Sequence, residues 1–168
     1  MHSLSISWLL LCFLLPFFYY GQGAPCSSIE FDQFDFWLGE WEVYDTNGVI
    51  VGESKISKQY NNCLLLEEWK STAQNRGTSY NYFNPQDNSW NQLWIDNQGG
   101  VLELKGVFEG NQMLLESKPF KRQNSFVINQ IRWVNQDNGT IAQIWEIYTS
   151  EKKLVSTLFH GIYKRKKD

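Results

Sequence analysis

The sequence predicts an all-β protein, an antiparallel up-and-down barrel of about ten strands with a short helical turn in front. From Glu40 onward, apolar and polar residues alternate with a period of two, which is the pattern of strands with one buried face. Turn residues recur about every ten to fifteen positions, and no segment has helical periodicity. A meander of this kind must bury one face and protect its edges, and closure into a barrel achieves both.

The turn markers divide the chain into its strands. Asn-Gly and Gly-Gly pairs occur among them because these residues accept the positive φ of tight hairpin turns. The markers are residues 46–48, 61–62, 75–77, 84–87, 97–100, 109–111, 121–124, 137–139 and 151–153, nine connections that join ten sequential strands. An open β-sandwich is the alternative architecture, although regular hairpins suit its Greek-key connections less well.

The first 23 residues differ in composition from the rest of the chain and are predicted to be a signal peptide. Residues 9–20 are almost wholly apolar, and the small residues Gly21, Gly23 and Ala24 follow them. This run is shorter than the roughly 20 residues that a membrane-spanning helix needs. We therefore expect cleavage after Gly23, a secreted or periplasmic protein without a membrane span, and a single domain over residues 24–168.

Two cysteines remain in the exported chain, Cys26 and Cys63, because Cys12 lies within the predicted signal peptide. In an oxidising compartment such a pair is expected to form a disulfide, which would tie the N-terminal segment to a strand. Lipidation of Cys26 as a new N-terminus and a buried, unpaired Cys63 are the alternatives. Pro25, directly before Cys26, suits a lipidation motif poorly.

The charge of the chain argues against one class of partner. The formal net charge is −3 at pH 7, and the only basic run, residues 164–167, is expected to be a solvated terminus. Binding to a phosphate backbone requires a basic face. We therefore expect no nucleic-acid partner, and we expect the exported protein to be a monomer.

Aromatic residues around the first strand are predicted to close one end of the barrel. The polar segment 27–33 forms the short helical turn, and Phe31, Phe34 and Phe36 pack over the barrel end. Gly39 allows the backbone to turn tightly before the strand begins. Trp41 follows two residues later, where its indole can plug the end of the barrel.

A step of one polar residue and one tryptophan, two positions apart, occurs in three predicted strands, at residues 67–69, 92–94 and 143–145. The spacing places both side chains on the same face of each strand. Trp90 and Asp96 extend this face along one of them. A sealed core would favour aliphatic residues, so an inner wall of indoles, amides and carboxylates predicts a cavity. The residues predicted to line it are Glu67, Trp69, Asn81, Gln92, Trp94, Trp133, Gln143, Trp145 and Tyr163.

The residue types that catalysis or metal binding needs are sparse. His160 is the only histidine of the exported chain, so we expect an ordinary strand residue there and no metal site. No Cys/His cluster, phosphate-binding glycine loop or nucleophile elbow follows the signal peptide. Carboxylates could pair across the lumen as general acid and base, although no spacing requires it: Glu67 or Glu68 with Asp96 or Glu146. We expect a binding protein rather than an enzyme.

Residues 138–140 have the sequence Asn-Gly-Thr, an acceptor for N-linked glycans. Asn138 is therefore a candidate glycosylation site at a predicted hairpin tip. The site is used only in a host that glycosylates, and the turn alone explains the Asn-Gly pair.

Several segments in combination resemble a family of exported, lipocalin-like (calycin-type) proteins that has no assigned biochemical role. The segments are FDFWLGEWEVYD (34–45), CLLLEEW (63–69), SYNYF (79–83), WNQLWID (90–96), LELKG (102–106), IRW (131–133), QIWE (143–146) and FHGIYKR (159–165). Gly39-x-Trp41 with the basic end of the last strand is similar, more distantly, to lipocalins and fatty-acid-binding proteins, in which a first-strand tryptophan packs against a basic residue. The resemblance implies closure of the barrel by Trp37, Gly39, Trp41 and Arg165, and small apolar ligands such as fatty acids or haem.

The chain departs from the pattern of this family at three positions. The family has arginines near Gln130 and Ala142, and an aspartate near His160. These departures weaken the case for an anionic-ligand site that relied on the family's residues at those positions.

The leading hypothesis is a secreted or periplasmic barrel that binds a small apolar or amphipathic molecule. Tryptophans would supply apolar contact, and amides would orient a polar head group. One alternative is a protein-interaction scaffold whose tryptophans fill a solid interior, with amides that satisfy one another. The other alternative is haem binding through His160; otherwise we expect no cofactor.

Overall fold

The computed structural model describes residues 24–167, and the predicted signal peptide lies outside this range. The described chain is almost entirely antiparallel β-structure, as predicted. Its strands are β1 (Gly39–Tyr44), β2 (Ile50–Gln59), β3 (Leu64–Ser71), β4 (Arg76–Asn84), β5 (Ser89–Asp96), β6 (Val101–Glu109), β7 (Gln112–Glu116), β8 (Phe120–Arg122), β9 (Ser125–Asn135), β10 (Ile141–Thr149) and β11 (Leu154–Arg165).

Ten of these strands close into a barrel, which confirms the predicted fold. Neighbours in sequence pair along most of the sheet, β7 pairs with β9, and β11 returns to β1. The closing pair places Trp41 opposite Arg165 and Val43 opposite Tyr163. Closure leaves none of these ten strands with an unpaired edge.

One short strand, β8, lies outside the ring of ten, and the sequence did not predict it as a separate element. The predicted seventh strand is interrupted at residues 117–119, where Pro119 has no N–H to donate to a ladder. β8 then pairs only with β9, and the turn predicted at residues 121–124 is confined to Gln123 and Asn124. The Gln123 backbone has φ 54°, which is the conformation of a tight hairpin turn.

Two short 3₁₀ turns, Ile29–Asp32 and Asp35–Trp37, cover one end of the barrel. Phe34 is fully buried there; its ring stacks on Trp37 at a centroid distance of 4.9 Å and meets the edges of Trp90 and Trp133 at 5.6 and 5.4 Å. Lys58 anchors the cap from outside through ion pairs of 2.7 Å to Asp32 and Asp35. The N-terminal segment therefore closes one end, which we call the closed end.

A disulfide joins Cys26 to Cys63, with their Cα atoms 5.1 Å apart, as the sequence predicted. Cys63 lies in the turn before β3 rather than within a strand, so the bridge ties the N-terminal cap to the rim of the closed end. A bridged Cys26 has no free thiol for lipidation, and the bridge likewise leaves no unpaired Cys63. Among the described residues, no helix is long and apolar enough to cross a membrane.

Candidate ligand-binding cavity

The inward-facing residues form layers along the barrel axis, and the deepest layer is a packed floor beneath the cap. Large side chains fill it to near-complete burial: Phe34, Trp37, Trp41, Leu65, Trp90, Met113, Trp133 and Ile141. Two of the floor indoles find hydrogen-bond acceptors, because Trp41 donates to the Trp37 carbonyl at 2.9 Å and Trp90 donates to the Gln33 side chain at 3.0 Å. Ligands therefore have no room at this end of the barrel.

Polar side chains form the next layer, directly above the floor. Glu67 accepts a hydrogen bond from Ser54 at one carboxylate oxygen (2.9 Å) and from Ser79 at the other (2.7 Å). The network continues as Asn81 donates to Ser79 (2.8 Å) and Gln92 donates to Asn81 (2.7 Å). Hydrogen bonds thus cross from β2 to β5, so these buried polar groups are partnered as burial requires.

On the other side of the lumen, Tyr163 of β11 donates its hydroxyl to Gln143 of β10. Both residues face the polar layer formed by Glu67 and Gln92. The layer therefore surrounds the lumen with carboxylate, amide and hydroxyl groups that can orient a polar part of a ligand.

Above the polar layer, three indoles form a collar: Trp69 on β3, Trp94 on β5 and Trp145 on β10. In each of these strands the tryptophan follows a polar residue of the layer below by two positions. This spacing places the polar side chains in one layer and the indoles in the next layer toward the open end. Trp69 donates to Asn75 at 3.2 Å and Trp145 donates to Asn129 at 2.8 Å, which fixes the orientation of two of the rings.

Two glycines make the collar possible. A Cβ atom at Gly52 would lie 2.5 Å from the ring of Trp69, and one at Gly77 would lie 2.3 Å from the ring of Trp94. Each of these indoles therefore packs against a glycine of the neighbouring strand, in space that a larger side chain would occupy. The result is a cavity with aromatic walls instead of a filled interior.

The cavity has a volume of about 490 Å³ and opens at the end of the barrel opposite the cap. Seven of the nine residues predicted to line it do so: Glu67, Trp69, Gln92, Trp94, Gln143, Trp145 and Tyr163. The other two do not line the cavity, which corrects the prediction: Asn81 is fully buried within the polar network, and Trp133 is fully buried in the floor. Both side chains face inward but contribute no surface to the cavity.

The structure adds eight lining residues: Val51, Ser71, Asn75, Asp96, Leu102, Ile131, Leu158 and Phe159. Ser71 and Asp96 continue the period of two beyond Trp69 and Trp94; the sequence analysis placed Asp96 on this face, and the same pattern could have identified Ser71. Asn75 lies in a loop, and Leu158 lies where the register of β11 shifts against β10. No periodic signal marks those two positions.

Burial governs the electrostatics of the lumen. Desolvation raises the pKa of Glu67 to about 7, although hydrogen bonds from Ser79 and Ser54 partly oppose this shift. Burial, and then the nearby Glu67 carboxylate, also raise the pKa of Tyr163. At the mouth the effect is opposite, because the backbone N–H groups of Gly100 and Gln98 lower the pKa of Asp96.

The residues assigned to barrel closure meet beside the floor. The Arg165 guanidinium lies over the Trp41 ring at 4.2 Å and donates to the Leu38 carbonyl at 2.7 Å. Gly39 has φ 121°, and a Cβ there would lie 2.1 Å from Arg165, so only glycine fits. Trp37, in the cap, accepts the hydrogen bond of the Trp41 indole at its backbone carbonyl.

The remaining candidate residues lie away from the lumen. His160 alternates with Phe159 and Gly161, both of which face inward, so its side chain is on the outer wall. Gln130 bonds to Glu116 outside the barrel, and Ala142 alternates with the lumen residue Gln143. A haem bound through His160 would therefore not occupy the lumen.

The four carboxylates considered as acid–base pairs also divide between the lumen and the outer wall. Glu68 is exposed, and Glu146 pairs with Arg132 at 2.8 Å on the outer wall, which leaves Glu67 and Asp96 as the lumen carboxylates. Asn138 is exposed at the β9–β10 turn, and its side-chain oxygen accepts hydrogen bonds from Thr140. Within residues 24–167, no group of three or more His, Cys, Asp or Glu side chains could hold a metal ion.

The fold and the cavity together define a closed antiparallel β-barrel with an open, aromatic-walled lumen. Comparison with protein-family models and with curated proteins finds no match for the chain.

Proposed function

We propose that the protein is an exported carrier that holds one small apolar or amphipathic molecule in the lumen of its barrel. The cavity carries this proposal: a volume of about 490 Å³ lies within the range typical of small-molecule sites, and its walls combine apolar surface with a few convergent polar groups. A barrel evolved only as a scaffold would gain stability by filling this space, because an empty apolar volume costs packing free energy.

The two ends of the lumen suit an amphipathic ligand. The polar layer of Glu67, Gln92, Gln143 and Tyr163 can hydrogen-bond a head group, while the indole collar can contact a tail. The packed floor prevents the ligand from passing through, so entry and exit use the open end. The alternative scaffold function assumed a filled core, and the cavity argues against that assumption.

The Cys26–Cys63 disulfide supports export. Disulfides persist in the periplasm and in the extracellular medium, and they are reduced in the cytosol. This agrees with the signal peptide predicted over residues 1–23.

A matched pair of variants tests whether ligands bind in the lumen. Leu102 lines the cavity, whereas its neighbour Val101 is exposed on the outer wall. Leu102→Trp adds an indole inside the lumen, and Val101→Trp adds the same group outside. With decanol as the probe and calorimetric titration as the measurement, we expect Leu102→Trp to weaken binding by about tenfold or more and Val101→Trp to leave it unchanged.

Equal binding of decanol by both variants would place the binding site outside the lumen. Native mass spectrometry of the protein purified from its own compartment provides an independent test. An added mass that disappears on denaturation would identify the natural ligand, whereas a wild-type protein that neither carries nor binds a small molecule would overturn the proposal.

A further inference from the structure

The charges that face the lumen all have one sign. Two of the residues that line it are acidic, Glu67 in the polar layer and Asp96 at the mouth, and none is Lys, Arg or His. Two cations of the barrel illustrate this: Arg165 stacks on Trp41 at the closed end, and Arg76, beside the mouth, is exposed and does not line the lumen. A bound molecule therefore meets carboxylates without a compensating basic side chain.

The position of Glu67 allows direct contact with a ligand. Its side chain is 4% exposed and belongs to the cavity wall. Ser54 and Ser79 occupy one acceptor site on each carboxylate oxygen, and an ionised carboxylate offers about four such sites. Acceptor capacity therefore remains on this carboxylate, which lines the cavity.

Every element around Glu67 contributes a neutral or an acidic group. Ser54 comes from β2, Ser79 from β4, Gln92 and Asp96 from β5, Gln143 from β10 and Tyr163 from β11. Only Asp96 and Tyr163 among them can titrate, and neither becomes a cation. Within residues 24–167, no cationic side chain lines the lumen, so the positive charge that would pair with Glu67 must come from a bound molecule.

We infer that the lumen selects molecules with a cationic amine head group and an apolar tail, with the amine at Glu67 and the tail among the indoles of the collar. This inference rests on the binding function proposed above and names its ligand class. An ammonium group would donate charge-assisted hydrogen bonds to the carboxylate, and the indole faces on its path attract cations. A carboxylate head group would instead be buried against Glu67 and Asp96 without a partner.

The protonation equilibrium of Glu67 gives the binding a pH dependence. Since burial raises the pKa of this carboxyl to about 7, it is partly neutral near neutral pH in the free protein. An ammonium ion stabilises the ionised form. Amine affinity should therefore fall as the pH drops through 7, whereas the affinity for an uncharged ligand should not.

Three ligands that share one tail test the selectivity: decylamine, decanol and decanoate, titrated by calorimetry at about pH 8, well above the pKa of Glu67. For the wild-type protein, we expect decylamine to bind about tenfold or more tightly than decanol, and decanoate to bind most weakly. Glu67→Gln should abolish the preference for decylamine over decanol, because the amide keeps a hydrogen-bond acceptor but loses the negative charge. The control is Glu68→Gln, which changes the adjacent, outward-facing residue and should alter none of the three affinities.

A pH series on the wild-type protein keeps the test independent of the folding of the variant. The ratio of decylamine to decanol affinity should fall several-fold between about pH 8 and about pH 5.5. A constant ratio, or decanoate affinity equal to that of decylamine, would overturn the selectivity while decanol binding preserved the carrier function. Failure of all three ligands to bind would overturn both proposals.

Discussion

At the closed end of the barrel, Trp41, Trp90 and Trp133 are at most 1% exposed, whereas toward the open end Trp69, Trp94 and Trp145 are only partly buried. All six indoles face inward from β-strands. Those at the closed end pack under the 3₁₀ turns of the N-terminal segment, whereas in the part of the chain that the structure describes no segment covers those at the open end. A tryptophan that faces inward therefore belongs to the core where the cap packs over it, and lines the cavity at the end that the cap does not cover.

The glycines sharpen this contrast. In the collar, Trp69 and Trp94 pack against Gly52 and Gly77, and this space beside the strands leaves room in the lumen. In the floor, Phe34 meets Trp37, Trp90 and Trp133 with ring centroids 4.9 to 5.6 Å apart, which leaves no space. We therefore expect side chains at the closed end to contribute most to the stability of the fold, and side chains at the open end to contribute most to ligand binding.

The largest expected effect comes from removing an indole at each end. Trp133→Ala in the floor leaves a cavity in a close-packed cluster and should reduce the free energy of unfolding by about 3–5 kcal/mol. Trp145→Ala in the collar should cost less than about 2 kcal/mol, because its ring already borders open space. Urea denaturation measures both, and decylamine titration should detect the change only in Trp145→Ala, provided that Trp133→Ala is folded.

Equal losses of stability in Trp133→Ala and Trp145→Ala would contradict the division between a structural end and a binding end. Two conservative variants, Trp133→Phe and Trp145→Phe, serve as controls for disruption of the fold. They should rank in the same order with smaller effects.

The next effect concerns Glu67, which lies at the border between floor and collar. Its pKa is raised from 4.5 to about 7, so the unfolded chain releases this proton at lower pH than the folded chain does. The unfolded state is then favoured as the pH rises from about 4.5 to 7, and the folded protein loses up to about 3 kcal/mol over this window. Above about pH 7 the loss is complete, and below about pH 4.5 it is absent.

Glu67→Gln removes this titration. In urea denaturation without ligand, the stability of Glu67→Gln relative to the wild-type protein should therefore increase between about pH 4.5 and about pH 8. Glu68→Gln is the matched control and should show no such trend, since Glu68 is exposed. A stability difference that stays constant with pH would mean that the Glu67 carboxyl titrates at its ordinary pKa.

The smallest expected effect is at the strand junction beside the floor. Arg165→Met removes the guanidinium from the Trp41 ring and from the Leu38 carbonyl, and it should cost about 1 kcal/mol because Arg165 is exposed. Lys164→Met, the control, loses only a contact 4.1 Å above the exposed side of Tyr44 and should cost less. The urea midpoints of the two variants measure these losses of stability. A larger loss of stability in Lys164→Met than in Arg165→Met would contradict the prediction.

Much of the inner wall was readable from the sequence, because a period of two assigns residues to faces without any knowledge of the fold. It correctly turned Glu67, Gln92 and Gln143 inward together with the indoles that follow them. It could not assign depth along the barrel axis. Asn81 and Trp133 were placed on the correct face and still lie outside the cavity, since depth depends on strand register and on the cap.

The sequence by itself determined the all-β architecture, the turns, the pairing partner of Cys26 and the inward set of polar and aromatic residues, because these follow from local periodicity, turn chemistry and a cysteine count. Only the tertiary structure decided which indoles are core and which are wall, that the lumen stays open, and that Glu67 is buried without a cation. Those properties depend on contacts between strands far apart in the chain, and on the position of the N-terminal cap over one end.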